Sequence, residues 1–357
     1  MADKNLPDLY LQRTHRLIRV AEGEAIAEAT KLAKLHEKIL KKIDIEKLSA
    51  AGLKILNAEI SSLIVDYYKT GVIPRHEQIF REVMDREIKW NSEILSGISI
   101  GSATVPNSAK VAQSAFKKKY QGKSFSTWFT QLGATNSRKI TSTLKSAYIN
   151  GLSNRDARIQ IENIMQRQSK DIKTLVRSSL TRAGTIAREQ VSKENQDIVS
   201  GKTWISTLDI RTTLICAVRD NKDYDNDDNP IGHSELWEEG PGAIHFNCRS
   251  TFIPLLKGEE KIEIPRPAIS AGRDYERGDN KTRIGTVRKP TKPNREKGIF
   301  KIEQVSSRTD YQSWLKRQPT SFVADALGSR EKARLFKSGE LSIEDLQSFK
   351  PMRAKNL

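Results

Sequence analysis

The chain has little cysteine, little histidine and few aromatics: two Cys, five His and 6% Phe, Trp and Tyr in 357 residues. Two cysteines cannot build the disulfide framework of a small secreted domain, and they fit synthesis in a reducing cytosol. No run of 18 or more apolar residues occurs, and MADKNLPDLYLQRTH has no apolar segment behind its charges. A soluble protein without a cleaved signal is therefore expected. There is no Gly-rich phosphate loop, no Gly-x-Ser-x-Gly elbow and no His-Glu-x-x-His helix, which removes the enzyme classes built on them. A hydrophobic fraction of 37% and a mean hydropathy of -0.58 are low for one large globule, and point to an elongated, mostly helical body.

Charge is abundant and unevenly spread within a net +17. Residues 1–200 have 33 Lys+Arg against 21 Asp+Glu, residues 201–255 have 5 against 9, and residues 256–357 have 23 against 14. The basic flanks favour a polyanion such as double-stranded DNA, because neutralising phosphates releases condensed counterions without reading bases. A solvated lysine-rich surface is the alternative.

Five regions follow from pattern and composition: an N-terminal helical region at 1–100, a second helical region at 101–200, an α+β module at 201–256, an extended basic arm at 257–306 and a small helical segment at 307–357. Helical spacing predicts a helix from Asp8 to about Lys47, with Leu32, Leu35, Ile39 and Ile43 on one side. A second runs from Leu48 to Lys69 and is expected to break at Gly71 and Pro74, before a third through Ile79, Val83, Met84 and Ile88. Lys117, Lys118, Lys119 and Lys123 lie among Phe116, Tyr120, Phe125, Trp128 and Phe129, a mixture that suits nucleic acid. The i, i+3, i+4 spacing of Phe125, Trp128 and Phe129 favours anchoring a helix to a core while the lysines face solvent. Ser153 and Asp156 form a capping box for a helix to about Gln168, and a second helix is expected from Lys170 to about Ser200. Its Arg177, Arg182 and Arg188 read as solvated, or as contacts to phosphate or the acidic module. Prolines, glycines and cations between Lys257 and Ser306 read as an arm with little core of its own. Arg266, Arg273, Arg277, Lys281, Arg283, Arg288 and Lys289 are its candidate phosphate contacts. Ser342 and Asp345 form another capping box near the C-terminus.

The module from Trp204 to Leu256 holds both cysteines and two histidines. Cys216, His233, His245 and Cys248 could hold zinc, which accepts thiolate and imidazole, though only His245-x-x-Cys248 has chelate-like spacing. The other reading makes Cys216 an ordinary buried thiol in an apolar strand, Leu214 to Val218, and the expectation is no cofactor, with zinc as the alternative. Asp223-x-Asp225-x-Asp227 alternates like a calcium loop, but Asp228 and Ser234 occupy the positions that need Gly and Glu, so an Asx-rich turn is expected. Asp209 and Arg211 could pair at a corner after the Trp204 strand.

The order of these features resembles the Mu F-like phage head morphogenesis proteins, the minor head proteins of tailed phages. The resemblance rests on the helix TRAGTIAREQVSKEN, then Trp204, Asp209-x-Arg211-Thr212, Cys216, and His245-x-x-Cys248-Arg249 before a β-run. The family's last cysteine is Ser250 here, and the cysteine often found after its Arg-Thr pair is replaced by Thr213-Leu214-Ile215. A second similar segment carries Tyr311, Trp314, Phe322, Leu327-Gly328 and Arg330 through Gly339. The resemblance implies a mainly α chain with a small α+β module, and a non-enzymatic virion component involved in capsid assembly. Its implied partners are the portal protein and capsid or scaffolding proteins, in the head interior or at the portal vertex, after synthesis in the host cytoplasm. The alternatives are a metal-dependent nuclease using His245, Asn247 and the Asp223 to Asp228 loop, or a protein ejected with the genome.

Overall fold

A computed structural model describes residues 6–98, 102–258, 265–272 and 300–348. The chain is mainly α with a small α+β part, in two compact units. One comprises His15–Asn195 with His245–Cys248; the other comprises Met1–Thr14, Gln196–Ile244 and Arg249–Leu357.

The first unit is built from long helices: α1 (Leu6–Lys41, whose first residues to Thr14 group with the other unit), α2 (Ala50–Asp66), α3 (Ile73–Ile98), α4 (Ser108–Lys117), α5 (Phe125–Ile149) and α6 (Asn154–Glu194). Ser49, Asn107, Ser124 and Ser153 begin α2, α4, α5 and α6, each side chain accepting an amide two or three residues into its helix. Leu32, Leu35 and Ile39 are buried along α1, as their spacing predicts; α1 ends at Lys41, short of the expected Lys47, and Ile43 is buried just beyond it.

Two expected breaks are absent. Gly71 and Pro74 do not end the helix: Tyr67–Val72 winds as a π-turn into α3, and the Ile73 amide donates to the Tyr68 carbonyl. Proline lacks an N–H and crowds the carbonyl four residues back, and the wider turn relieves both problems. Nor does a break occur near Gln168, because no glycine or proline lies between Asn154 and Ala183; the Ser169 hydroxyl bonds back to the Met165 carbonyl within a continuous α6.

Polar contacts tie these helices where their apolar stripes meet. His36 pairs with Gln168 at 3.0 Å, His76 with Ser179, and Glu28 takes Arg75 and the Tyr67 hydroxyl, the latter at 2.7 Å. Arg177, Arg182 and Arg188 are not the solvated set their pattern suggests. Arg177 pairs with Glu22, Arg182 is buried 3.6 Å from Glu189, and Arg188 is buried.

The second unit holds an antiparallel sheet ordered β3-β2-β1-β4, from β1 (Val199–Ile205), β2 (Asp223–Asp225), β3 (Pro230–Ile231) and β4 (Thr251–Leu256). Trp204 opposes Phe252 in the β1–β4 register. The ends of the expected arm are not structureless: β5 (Pro265–Ala271) and β6 (Phe300–Ser306) pair antiparallel along their full length. The Ile269 amide donates to the Leu208 carbonyl at 2.8 Å, docking β5 on the module. Four short helices follow: α8 (Tyr311–Lys316), α9 (Thr320–Leu327), α10 (Arg330–Ser338) and α11 (Ile343–Ser348), after α7 (Leu214–Ala217) within the module. Tyr311, Trp314, Leu315, Phe322, Val323 and Phe336 pack with Leu208, Ala217, Val218 and Ala268 in one core. Gly339, at φ 91°, ends α10 by returning its amide to Leu335 and Phe336. Ser342 and Asp345 exchange the expected capping bonds.

Candidate functional site in the central module

Ser206, just beyond β1, organises the module from its backbone outward. Its hydroxyl donates to the Cys216 carbonyl at 2.8 Å and accepts the Trp204 indole N–H at 3.0 Å, while its amide donates to Asp220 at 2.7 Å. Beside it Trp204, Tyr224, Trp237 and Phe252 form an aromatic cluster, with Trp237 meeting the other three edge-on at 4.9 to 5.6 Å. The Lys202 ammonium is buried 4.3 Å from the Trp237 ring and pairs with Asp228. Arg219, also buried, donates to the Leu236 and Ile215 carbonyls at 2.7 Å and to Glu238 at 2.7 Å. No pattern in the sequence singles out Arg219 or Trp237; their importance lies in contacts between segments far apart in the chain.

The corner predicted from Asp209 and Arg211 exists, but its main partner is elsewhere. Arg249 binds the Asp209 carboxylate through two nitrogens at 2.5 and 2.8 Å, while the Arg211 guanidinium is 3.6 Å away and largely exposed. The Arg211 amide and the Thr212 hydroxyl close the turn onto the same carboxylate at 2.9 and 3.3 Å. Burial pushes the Asp209 carboxyl up, yet the Arg249 bonds and the charges of Arg249 and Arg211 outweigh it and hold the group below its ordinary range. The Tyr311 hydroxyl donates to the Asp209 carbonyl at 3.0 Å, joining the C-terminal segment to the corner.

Of the four candidate metal ligands, Cys216, His245 and Cys248 each offer one ligand atom, all within 4.8 Å of one another. Cys216 lies in the short helix α7 rather than in a strand. His233 serves another purpose: its Nε2 donates to the Asp223 carbonyl at 2.8 Å and its Nδ1 accepts the Glu235 amide at 3.2 Å. The Nδ1–H of His245 donates to the Phe246 carbonyl at 2.8 Å, the kind of bond that orients a metal-ligating imidazole. Ser250, two residues after Cys248, adds no thiolate and is 3.3 Å from Ser206. The set therefore supplies three donors.

The acidic loop is locally satisfied. Asp225 accepts the Asp227 and Asn229 amides at 2.9 and 2.8 Å, Asp223 accepts the Thr203 hydroxyl at 2.6 Å, and Asp228 pairs with Lys202. That is the expected Asx turn, and among the described residues no carboxylate joins His245 in a group of potential metal ligands. The His245, Cys216 and Cys248 set is the one group of potential metal ligands found among the described residues.

The candidate DNA contacts divide. Lys117, Lys118 and Lys119 are exposed at the end of α4. Lys123 is half-buried, over the Trp128 ring at 4.7 Å and bonded to Gln131 at 2.6 Å. Phe125 and Phe129 are core residues, as their spacing suggests, whereas Trp128 is half-exposed. Arg266 is a correction: its guanidinium is buried, donating to Asp220 at 3.0 Å, to the Thr309 carbonyl at 3.3 Å and to the Ser206 carbonyl. Burial raises the Asp220 carboxyl above its ordinary range despite Arg266, and its Oδ2 finds no partner among the described residues. Arg273, Arg277, Lys281, Arg283, Arg288 and Lys289 lie outside the described residues. Comparison of the chain with protein-family models, characterised proteins and solved structures finds no match.

Proposed function

We propose that this chain is a minor head protein of a tailed phage, similar to the Mu F-like head morphogenesis proteins, acting in capsid assembly at the portal and touching DNA without reading its sequence. The observation that carries this reading is the Asp209 corner. The Asp-x-Arg-Thr turn, the Arg249 that follows His245-x-x-Cys248, and Tyr311 of the second similar segment all meet at one carboxylate and its carbonyl. Residues separated in the chain yet shared with one family pattern thus form a single packed unit, as a structural module requires. The locally satisfied acidic loop favours a protein-binding and architectural role over catalysis. Lys117, Lys118 and Lys119 supply the described phosphate contacts, and we assign Cys216, His245 and Cys248 to a structural zinc site.

The test is size-exclusion chromatography of the protein with the portal protein encoded beside it, with and without DNA, at low and high salt. The reading expects a salt-resistant portal complex and salt-labile DNA binding, with the logarithmic salt slope falling by roughly 0.9 for each of the three lysines changed to Gln. DNA binding without any portal complex sinks it.

A further inference from the structure

A groove in the helical unit and an exposed leucine on the central module are flanked by charges of opposite sign. The groove is a cavity of about 280 Å³ at α5 and α6, with Trp128, Leu132, Leu175 and Phe246 as its apolar walls and Asp171 and Thr174 at its edge. Phe246 is fixed there by Tyr120 and Trp128, edge-on at 5.1 and 5.4 Å, and by the Asn247 amide, which donates to Ser178 at 2.8 Å. Lys123 sits over the Trp128 ring and Phe246 meets that ring edge-on. The site is therefore a hole for a bulky apolar side chain rather than a shelf on which a nucleobase could stack.

Its rim is cationic. Residues 94 to 155 contain nine lysines and arginines and no aspartate or glutamate. Arg138 and Lys139 are one helical turn beyond Thr135, which also lines the groove, and Arg167 and Lys170 are one turn before Asp171 and Thr174; all four cations are exposed. Asp171 is the single carboxylate on the wall, and Arg167 lies on its own helix face.

Leu236 has the complementary character. It is 61% exposed; its neighbours Glu235 and Glu238 both pair with the buried Arg219, at 3.6 and 2.7 Å, so with exposed Glu239 three carboxylates against one cation leave the tip acidic. Arg219 holds the Leu236 carbonyl at 2.7 Å and Glu238 at 2.7 Å, so the leucine is presented on a fixed loop at little ordering cost. We propose that the α5–α6 groove receives the Leu236 loop of a second copy of this chain. Groove and knob are different surfaces, so two copies either exchange knobs reciprocally in a closed dimer or add head-to-tail into longer assemblies.

Sedimentation velocity of the full chain from about 1 to 100 μM tests this. The expected result is a mass that rises with concentration to the dimer or beyond it, weakened at least roughly tenfold by Leu236→Ala, which removes a buried leucine contact. Arg138→Glu with Lys139→Glu should weaken it similarly, and added salt should weaken the wild type. Both variants change exposed residues, and unchanged melting by circular dichroism checks their folds. Mixing the two variants restores one knob with one groove, and should give a 1:1 dimer that grows no further. A wild type that stays monomeric throughout, self-association indifferent to both variants, or variants that fail to pair when mixed would each overturn the proposal.

Discussion

Replacing Arg266 with Met separates a structural cation from a DNA-binding one. In sequence, Arg266 belongs to a run of cations among prolines; in the fold its guanidinium is buried against Asp220, Ser206 and Thr309. Met keeps the length and apolar stem but leaves Asp220, itself fully buried, without the guanidinium that pairs with it. Breaking a buried pair from one side costs about 3–5 kcal/mol, because the remaining charge has neither water nor a counterion. Asp220 already has a raised pKa from burial, so protonation offers a partial escape and puts the expected loss toward the lower end at acidic pH. For a unit of this size the loss corresponds to a melting decrease of roughly 6 to 20 °C. Arg266→Met combined with Asp220→Asn should recover part of it, since the neutral amide no longer needs a cation. Urea denaturation and calorimetry measure the stability, and a DNA-binding titration on the folded variant measures the affinity. A loss under about 1 kcal/mol, or a folded variant with clearly weaker DNA binding, would refute the assignment.

Gly133→Ala should destabilise the helical unit by about 1–2 kcal/mol in urea denaturation, because a Cβ there would lie 2.9 Å from the Tyr68 ring and overpacking outweighs the helix-propensity gain. Gly97→Ala, with nothing within 4 Å, should instead be neutral or stabilising, and equal effects at the two sites would contradict the packing argument. Burial lowers His36 and His76 to about 4 in the fold, against about 6.5 in the unfolded chain. The unfolded state binds more protons between those values, so stability is full above pH 6.5 and declines as pH falls toward 4. His36→Gln should flatten that dependence in denaturation midpoints taken at pH 7.5 and 5, and an unchanged slope would remove His36 from the account. Native mass spectrometry of protein purified without chelator should show one zinc, lost in Cys248→Ser; metal-free wild type under reducing conditions would exclude the zinc assignment.

Local patterns in the chain are enough to reveal much of this architecture. The helical stripes of α1, the Ser153 and Ser342 caps, the Asx turn at Asp225 and the strand around Trp204 depend on residues within a few positions of one another, so their spacing exposes them. The α+β module near residues 201–256 is legible for the same reason. Gly71 and Pro74 are a different case. Both residues read as punctuation, and only the packing of buried Tyr68 against α5, where Gly133 lies beside its ring and Asn136 donates to its hydroxyl, favours a π-turn over a break. The boundary placed near Gln168 disappears because nothing there interrupts α6.

What the sequence alone determines is the class of chain: mainly helical, with one small module of distinct composition, cationic flanks and a cysteine-poor chemistry. What the tertiary structure decides is the use of each polar residue. Arg266 and Lys117 look alike as cations in a row of letters, yet one is sealed against Asp220 and the other faces water. Asp209 takes Arg249, forty residues away, as its main partner rather than the nearby Arg211. Whether a charge is solvated or paired depends on which distant segment packs over it, and a desolvated charge must find its counterion wherever the fold brings one.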